Sequence, residues 1–407
     1  MVTLHGTSSV QEKADSFYEP LNAGLHEVMG HYSAAELDLV EKIVDELGAV
    51  VGGPSTARAD FDLPFTSSWT RARWGRDASP RLPGMTVEVL LGEVTCPSGH
   101  LVITDGGYLD LWSGEEVPHD EERAVTDLAI VGPDARAAAE SFDRQPGLRQ
   151  YDIPVHAVAE FTAIFDEHCR EHGHDARFHR LDQQIPHRQR VRHAITARDP
   201  GFRVMGVPVH AVEVPADRAL PVIAVPGDHG WQSMRIELSD APVADSWVFW
   251  HLGVDNARFV FADADALSSW EHVKPLDGLA DLVLWGRDQE QVAAEFGAPR
   301  LGDSADVEYG WVDLPVEEAY RRGLAIETRR TEPDGPKFAF DFRPHSHHWQ
   351  VMGSVRASDH GAGVVQVNGA DIVMTMTSVG DGYFPVHLDV DAAGIPVALR
   401  IDVAVED

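Results

Sequence analysis

Two cysteines, Cys96 and Cys169, and four lysines, Lys13, Lys42, Lys274 and Lys337, are all that a chain of 407 residues contains of either type. Two thiols cannot build a disulfide framework. The stretch from Met1 to Asp15 is polar and lacks the apolar core of a signal peptide, so a cytoplasmic location is expected. No apolar run approaches the ~20 residues of a bilayer span, because prolines and charges interrupt each one. Complete catalytic motifs are missing too. There is no Gly-x-Ser-x-Gly elbow, and Ser98 after Pro97 reads as a turn. Gly361-Ala362-Gly363 lacks the third glycine and the following helix of a nucleotide loop. His26-Glu27 with His31 misses the zincin spacing by one residue, which on a helix turns the second imidazole away by about 100°. No repeat at solenoid spacing and no low-complexity segment stands out.

Basic charge is also scarce. With 66 acidic against 33 basic residues, the formal charge of −33 opposes nucleic acid and anionic membrane by repulsion, and suits a basic protein partner. The preference for arginine over lysine is a usage associated with high-GC bacteria. What the chain does have is 43% hydrophobic residues, ample for packed cores, and a length that implies two or three subdomains. The expected fold is α+β, β-rich and mostly antiparallel. It has a helical N-terminal segment (1–50), a mixed α/β subdomain (51–200) and a β-rich domain (201–407) that ends in an antiparallel meander.

Residues 17–48 read as a helical hairpin: Leu25, Val28 and Met29 form one apolar stripe, and after the N-cap candidate Ser33, Leu37, Val40, Ile43, Val44 and Leu47 form another. Such a hairpin needs a cover, which makes a homodimer through residues 17–48 the expectation. From Asp127 to Ala197 an α/β insert is expected. It comprises a strand (Asp127 to Val131), two helices (Pro133 to Phe142, Val155 to His172) and a strand (Arg177 to Gln184). Alternating strands fill Phe202 to Phe261, and short helices are expected at Gln289 to Phe296 and Val316 to Arg322. Asn368-Gly369 between apolar runs predicts a tight type I′ hairpin, since both residues tolerate positive φ. Trp349 to Val355 reads as a further strand. In the last one Ile395, Val397, Leu399, Ile401 and Val403 alternate with more polar residues, so one face is buried.

The run Met376-Thr377-Ser378-Val379-Gly380-Asp381-Gly382-Tyr383-Phe384-Pro385-Val386, followed by Asp389-Val390-Asp391-Ala392-Ala393-Gly394, resembles the end of the bacterial domain-of-unknown-function family numbered 4241. Pro97-Ser98-Gly99-His100-Leu101-Val102 and the segments Val207 to Val212 and Arg235 to Asp240 are similar to its earlier strands. Val379 and Gly106 depart from its pattern, and the family brings no activity or cofactor to transfer. Tyr32-Ser33-Ala34-Ala35-Glu36-Leu37 resembles the dimerisation helices of MarR-type regulators, without a winged-helix reader before it.

Three sets of residues are candidates for chemistry. His345 and His347, read as neighbours on one strand face, with His360, are candidate ligands for zinc or iron, and Asp341 or Asp359 would support them. The alternative is an ordinary surface or hydrogen-bonded histidine cluster among 21 histidines. Trp247, Trp250 and Trp270 are candidates for a ligand pocket, against simple core packing. His168, Cys169, His172 and His174 form a second cluster, in which Cys169 continues the apolar stripe of Val158, Phe161 and Phe165 and reads as buried. Asp389-Val390-Asp391 imitates an EF-hand start, but Arg400 stands where the bidentate glutamate belongs, so a turn is expected. The favoured reading is a non-catalytic accessory or protein-interaction protein of immunity or stress type, with no cofactor. The alternatives are a metal-dependent hydrolase using His345, His347 and His360, and a small-molecule binder with a tryptophan-lined pocket.

Overall fold

The computed structural model describes residues 88–118, 124–142, 144–228, 230–302, 308–332 and 335–404. All belong to one compact unit, Thr70–Asp407. The helical hairpin expected at residues 17–48, and the dimer contact placed on it, lie outside the described residues.

The first part of the chain runs through β1 (Val89–Thr95), β2 (His100–Asp105), a 3-10 turn (Gly106–Leu111), β3 (Val125–Val131), α1 (Ala135–Ser141), β4 (Arg149–Pro154), α2 (Val158–His172), β5 (Arg177–Arg180), α3 (His187–Ala197), β6 (Gly201–Val204), β7 (Val207–Glu213), β8 (Ala219–Pro226) and β9 (Trp231–Glu237). The second part repeats the order: β10 (Asp245–Val254), β11 (Arg258–Asp263), a 3-10 turn (Ala266–Ser269), β12 (Leu279–Trp285), α4 (Gln289–Phe296), a short β13 (Arg300–Leu301), β14 (Glu308–Pro315), α5 (Val316–Arg330), β15 (Ala339–Pro344), α6 (His347–Ala357), β16 (Ala362–Val367), β17 (Ala370–Met376), β18 (Gly382–Val390) and β19 (Pro396–Asp402). Apart from β13 and a one-turn 3-10 segment before α2, the two series match element for element. The described residues form an internal duplication, residues 88–238 and 245–404.

The pairing obeys the same symmetry. One six-stranded sheet has the order β1-β8-β9-β19-β18-β10, so the halves meet at β9 and β19, with Arg235 opposite Arg400. The other has the order β16-β17-β11-β2-β7-β6, and the halves meet at β2 and β11, with Ile103 opposite Phe261. Each half adds a small sheet, β4-β3-β5 or β13-β14-β12-β15. Like charges face each other at Arg235 and Arg400, and neighbouring carboxylates offset them: Glu88 and Glu237 at 2.9 Å from Arg235, and Asp402 beside Arg400. Even irregularities recur. Bulges fall between Leu90 and Gly92 and between Val248 and Trp250, and again between Thr126 and Leu128 and between Ala280 and Leu282.

Alternation explains the layers. Leu220, Val222 and Ala224 of β8 and Leu399 and Ile401 of β19 point from the first large sheet into a core shared with Leu101, Ile103, Phe259 and Phe261 of the second. Each large apolar side chain so buried contributes about 1.5–3 kcal/mol. The opposite face of the second sheet, with Val102, Val260 and Ile372, is covered by α3 and α6 through Val191, Val351 and Val355. Asp105 and Asp263 tie the halves reciprocally: Asp105 Oδ2 accepts the N–H groups of Asp255 and Asn256, and Asp263 Oδ2 accepts that of Ser98. Among the described residues no helix is long and apolar enough to cross a membrane.

The fold is α+β with mostly antiparallel sheets, and the first strand and two helices of the insert lie where expected, whereas its last strand stops at Arg180 and β4 and α3 are additional to the elements expected there. Three other elements differ. Trp349 to Val355 is helical, within α6, because His347, Val351 and Val355 bury one helical stripe and Ser346 caps the first turn by accepting the Trp349 N–H. The terminal strands do not form one meander: β16 and β17 join the second large sheet and β18 and β19 the first. Ile395 is 59% exposed, ahead of β19. The position 200–201 falls between α3 and β6, inside the first repeat.

Candidate functional site

Each half brings two aspartates together by the same route. Asp127 sits at the bulge of β3, and Asp152 of β4 adopts φ 56°, a left-handed conformation that aspartate tolerates better than most residues. That turn of the backbone directs the Asp152 N–H to Asp127 Oδ1 at 3.0 Å. In the second half Asp281 occupies the bulge of β12, Asp313 of β14 has φ 54°, and its N–H donates to Asp281 Oδ1 at 3.0 Å.

What neutralises the pair differs. In the first half Arg190, the fourth residue of α3, donates NH1 and NH2 to the two oxygens of Asp152, each at 2.7 Å, and lies 3.6 Å from Asp127 Oδ2. Ile185 N–H supports Asp127, and Met205 N–H and Gln184 support Asp152. The side chains of Asp127 and Arg190 are fully buried. Burial alone would raise the Asp152 carboxyl, but the Arg190 hydrogen bonds and charge outweigh it and hold it below the usual carboxylate range. Burial raises Asp127, against the opposing pull of Arg190.

In the second half the fourth residue of α6 is Gln350, which is exposed. Among the described residues the cation hydrogen-bonded to the pair is His345, at the end of β15. Its backbone is fixed by its N–H to Leu279 O (3.0 Å) and by Leu276 N–H to its carbonyl (2.9 Å). Nδ1 lies 2.9 Å from Asp277 Oδ2; Nε2 lies 3.1 Å from Asp281 Oδ1 and 3.9 Å from Asp313 Oδ1. Partial burial works against the imidazolium, yet the hydrogen bonds to Asp277 and Asp281 prevail and raise its pKa. Asp313 is 72% exposed. One ligand atom each from Asp281, Asp313 and His345 lies within 4.8 Å of the others. An imidazole with two carboxylates is a donor set for zinc, manganese or iron, and a carboxylate on Nδ1 is the arrangement that turns Nε2 toward a metal.

The histidines grouped in the sequence part company in the structure. His347 begins α6, where its Nδ1 accepts the Glu271 N–H at 2.9 Å and its ring stacks on Trp270. His187 at the start of α3 likewise accepts the Ser113 N–H on Nδ1 and packs its ring, tilted, against Trp112, so this histidine recurs as a helix anchor. His360 is exposed in the loop after α6, with its ring 6.2 Å from Trp231. Asp341 accepts hydrogen bonds from Trp285 and Arg343, and Asp359 is exposed beside His360. Of the three histidines only His345 meets a carboxylate pair. The tryptophans are likewise separate: Trp247 is 45% exposed on the edge strand β10, Trp250 packs on His210, and Trp270 lies beside His347.

Cys169 is buried in the core of the first small sheet, as its stripe implies, and burial raises its thiol. His168 Nε2 and His174 Nε2 lie 2.8 and 3.2 Å from Ser141 Oγ, a tie between α1 and α2 that the second half makes with the Glu295–Arg329 ion pair. Asp391 Oδ1 accepts the N–H groups of Ala393 and Ile395, which is a turn. Asp277, Asp281 and Asp313 were not among the candidates from sequence. Two short echoes could have pointed to them: Asp127-Leu128 with Gly132 and Asp134 against Asp281-Leu282 with Gly286 and Asp288, and Asp152-Ile153-Pro154-Val155 against Asp313-Leu314-Pro315-Val316.

No protein-family model, no curated protein and no solved structure matches the chain.

Proposed function

We propose that the protein is a non-catalytic accessory protein that binds one divalent transition-metal ion, zinc being the first choice, between Asp281, Asp313 and His345, with Asp277 orienting the imidazole. The observation behind this reading is the duplication itself: one aspartate pair holds a built-in guanidinium, and its counterpart has only a histidine whose charge is optional. A close carboxylate pair favours any cation that can reach it, and the exposure of Asp313 leaves this one reachable. The net charge of −33 makes a basic protein the natural partner class. A second reading, metal-assisted hydrolysis, draws on the same exposure, which leaves coordination positions for water. Elemental mass spectrometry on the purified, untagged protein tests the metal. About one equivalent, lost in His345→Ala and Asp313→Asn and kept in His360→Ala, is expected. Less than a tenth of an equivalent after incubation with zinc and desalting would contradict it.

A further inference from the structure

The duplication places a second pair of equivalent clusters at the starts of α3 and α6. After the anchoring histidine the next residue is Arg188 in one half and His348 in the other. Arg188 is buried; its Nε pairs with the Asp265 carboxylate and its NH2 lies 2.9 Å from His100 Nδ1. By the register of β2 on β11, Arg258 stands where His100 does, and Gly107 where Asp265 does. The exchange keeps one guanidinium and one imidazole but removes the carboxylate. It cannot return from that position, since a Cβ on Gly107 would collide with the Asn256 side chain.

No carboxylate hydrogen-bonds to the Arg258 guanidinium or the His348 imidazole among the described residues. Arg258 NH1 meets only the Met352 sulfur, at 3.2 Å, and its Nε is buried without a partner. His348 is 8% exposed, its Nδ1 is likewise buried without a partner, and its ring stacks on His272 at 4.1 Å. Arg356, on the same helix, adds positive charge. Of the acidic groups nearby, Asp105 acts on Arg258 but its oxygens already accept the N–H groups of Gly107, Asp255 and Asn256, and Asp110 acts on His272. Buried donors without acceptors are costly, and more so on a charged group. We propose that Arg258, His348 and His272 bind a small oxyanion, a carboxylate or phosphate group, which supplies here the charge that Asp265 supplies in the first half. Burial first, then the neighbouring His272, Arg258 and Arg356, push His348 down to about 3; a bound anion would reverse that pressure.

The test uses the full chain stripped of metal on a chelating resin, so that it is independent of the metal site. Inorganic phosphate and acetate are titrated by calorimetry and by thermal shift into wild type, Arg258→Met, His348→Gln and His345→Ala. Saturable binding of either anion is expected, weakened at least about tenfold by the Arg258 and His348 substitutions, since each removes a hydrogen bond to a charged group. His345→Ala should bind as wild type does. Which anion binds more tightly identifies the group. In anion-free buffer Arg258→Met should be as stable as wild type or more so, because it deletes a partly buried charge to which no carboxylate hydrogen-bonds. No saturable binding of either anion to wild type, or binding undiminished in both Arg258→Met and His348→Gln, would overturn the proposal.

Discussion

In the first half Asp127 and Asp152 are buried with Arg190, whereas in the second Asp281 and Asp313 meet His345 at a partly open surface. Strand order, bulges, the positive φ of the second aspartate and its hydrogen bond to the first are common to both. The conserved scaffold therefore belongs to the fold, and the cation is what distinguishes the halves. A guanidinium always charged and fully buried locks its pair as structure; a titratable imidazole with a solvent-facing partner leaves its pair exchangeable. The Arg188 and His348 clusters repeat the lesson with the signs reversed: Arg188 has the Asp265 carboxylate as its partner, whereas no carboxylate hydrogen-bonds to Arg258 or His348 among the described residues.

The largest expected effect breaks the comparison at its locked end. Arg190→Met leaves two buried carboxylates uncompensated and should cost about 3–5 kcal/mol, while His345→Ala, at an accessible pair, should stay within about 1 kcal/mol; urea denaturation measures both. The fully buried equivalents Leu128 and Leu282 sharpen it from the other side. Leu128→Ala and Leu282→Ala should each cost roughly 2–5 kcal/mol by the same method, and a large difference between them would show that the halves are not packed alike.

Smaller is the cost at the two equivalent hairpin turns, Met205-Gly206 and Asn368-Gly369, whose glycines have φ 91° and 82° with open space around them. Gly206→Ala and Gly369→Ala should each lose about 1–2 kcal/mol through backbone strain alone, read as a lowered Tm. The smallest effect is at acid pH. Asp152 is depressed in the folded state, so its contribution is complete above the ordinary carboxylate value of about 3.9 and is lost as pH falls through its folded value. The Tm of wild type should therefore drop more steeply than that of Arg190→Met below about pH 4.

Local features were legible in the sequence. Asn368-Gly369 forms the expected turn with both residues at positive φ, and α4 spans Gln289–Phe296 as read. Trp349 to Val355 misled because a short apolar run fits a strand as well as a helix; burial of Val351 and Val355, four apart, decides it. The duplication was hidden because matched core positions share only their apolar character, Val94 answering Leu252 and Ile103 answering Phe261, and because the matched bulge position is Gly92 in one half and Trp250 in the other. Its identical aspartates are easily lost among 66 acidic residues. Nor does the sequence reveal that Asp281 and Asp313 meet, since the register of β12 on β14 and the bulge within it bring them together. His345 stood out by its neighbour His347, but its partners are the aspartates and not that histidine.

Calorimetric titration of zinc into metal-free wild type, Asp313→Asn and Arg190→Met tests most directly the claim that one aspartate pair is exchangeable and the other locked. One site per chain in wild type, abolished by Asp313→Asn and retained wherever Arg190→Met still folds, is the predicted result. No zinc binding by wild type, or binding unchanged in Asp313→Asn, would contradict it.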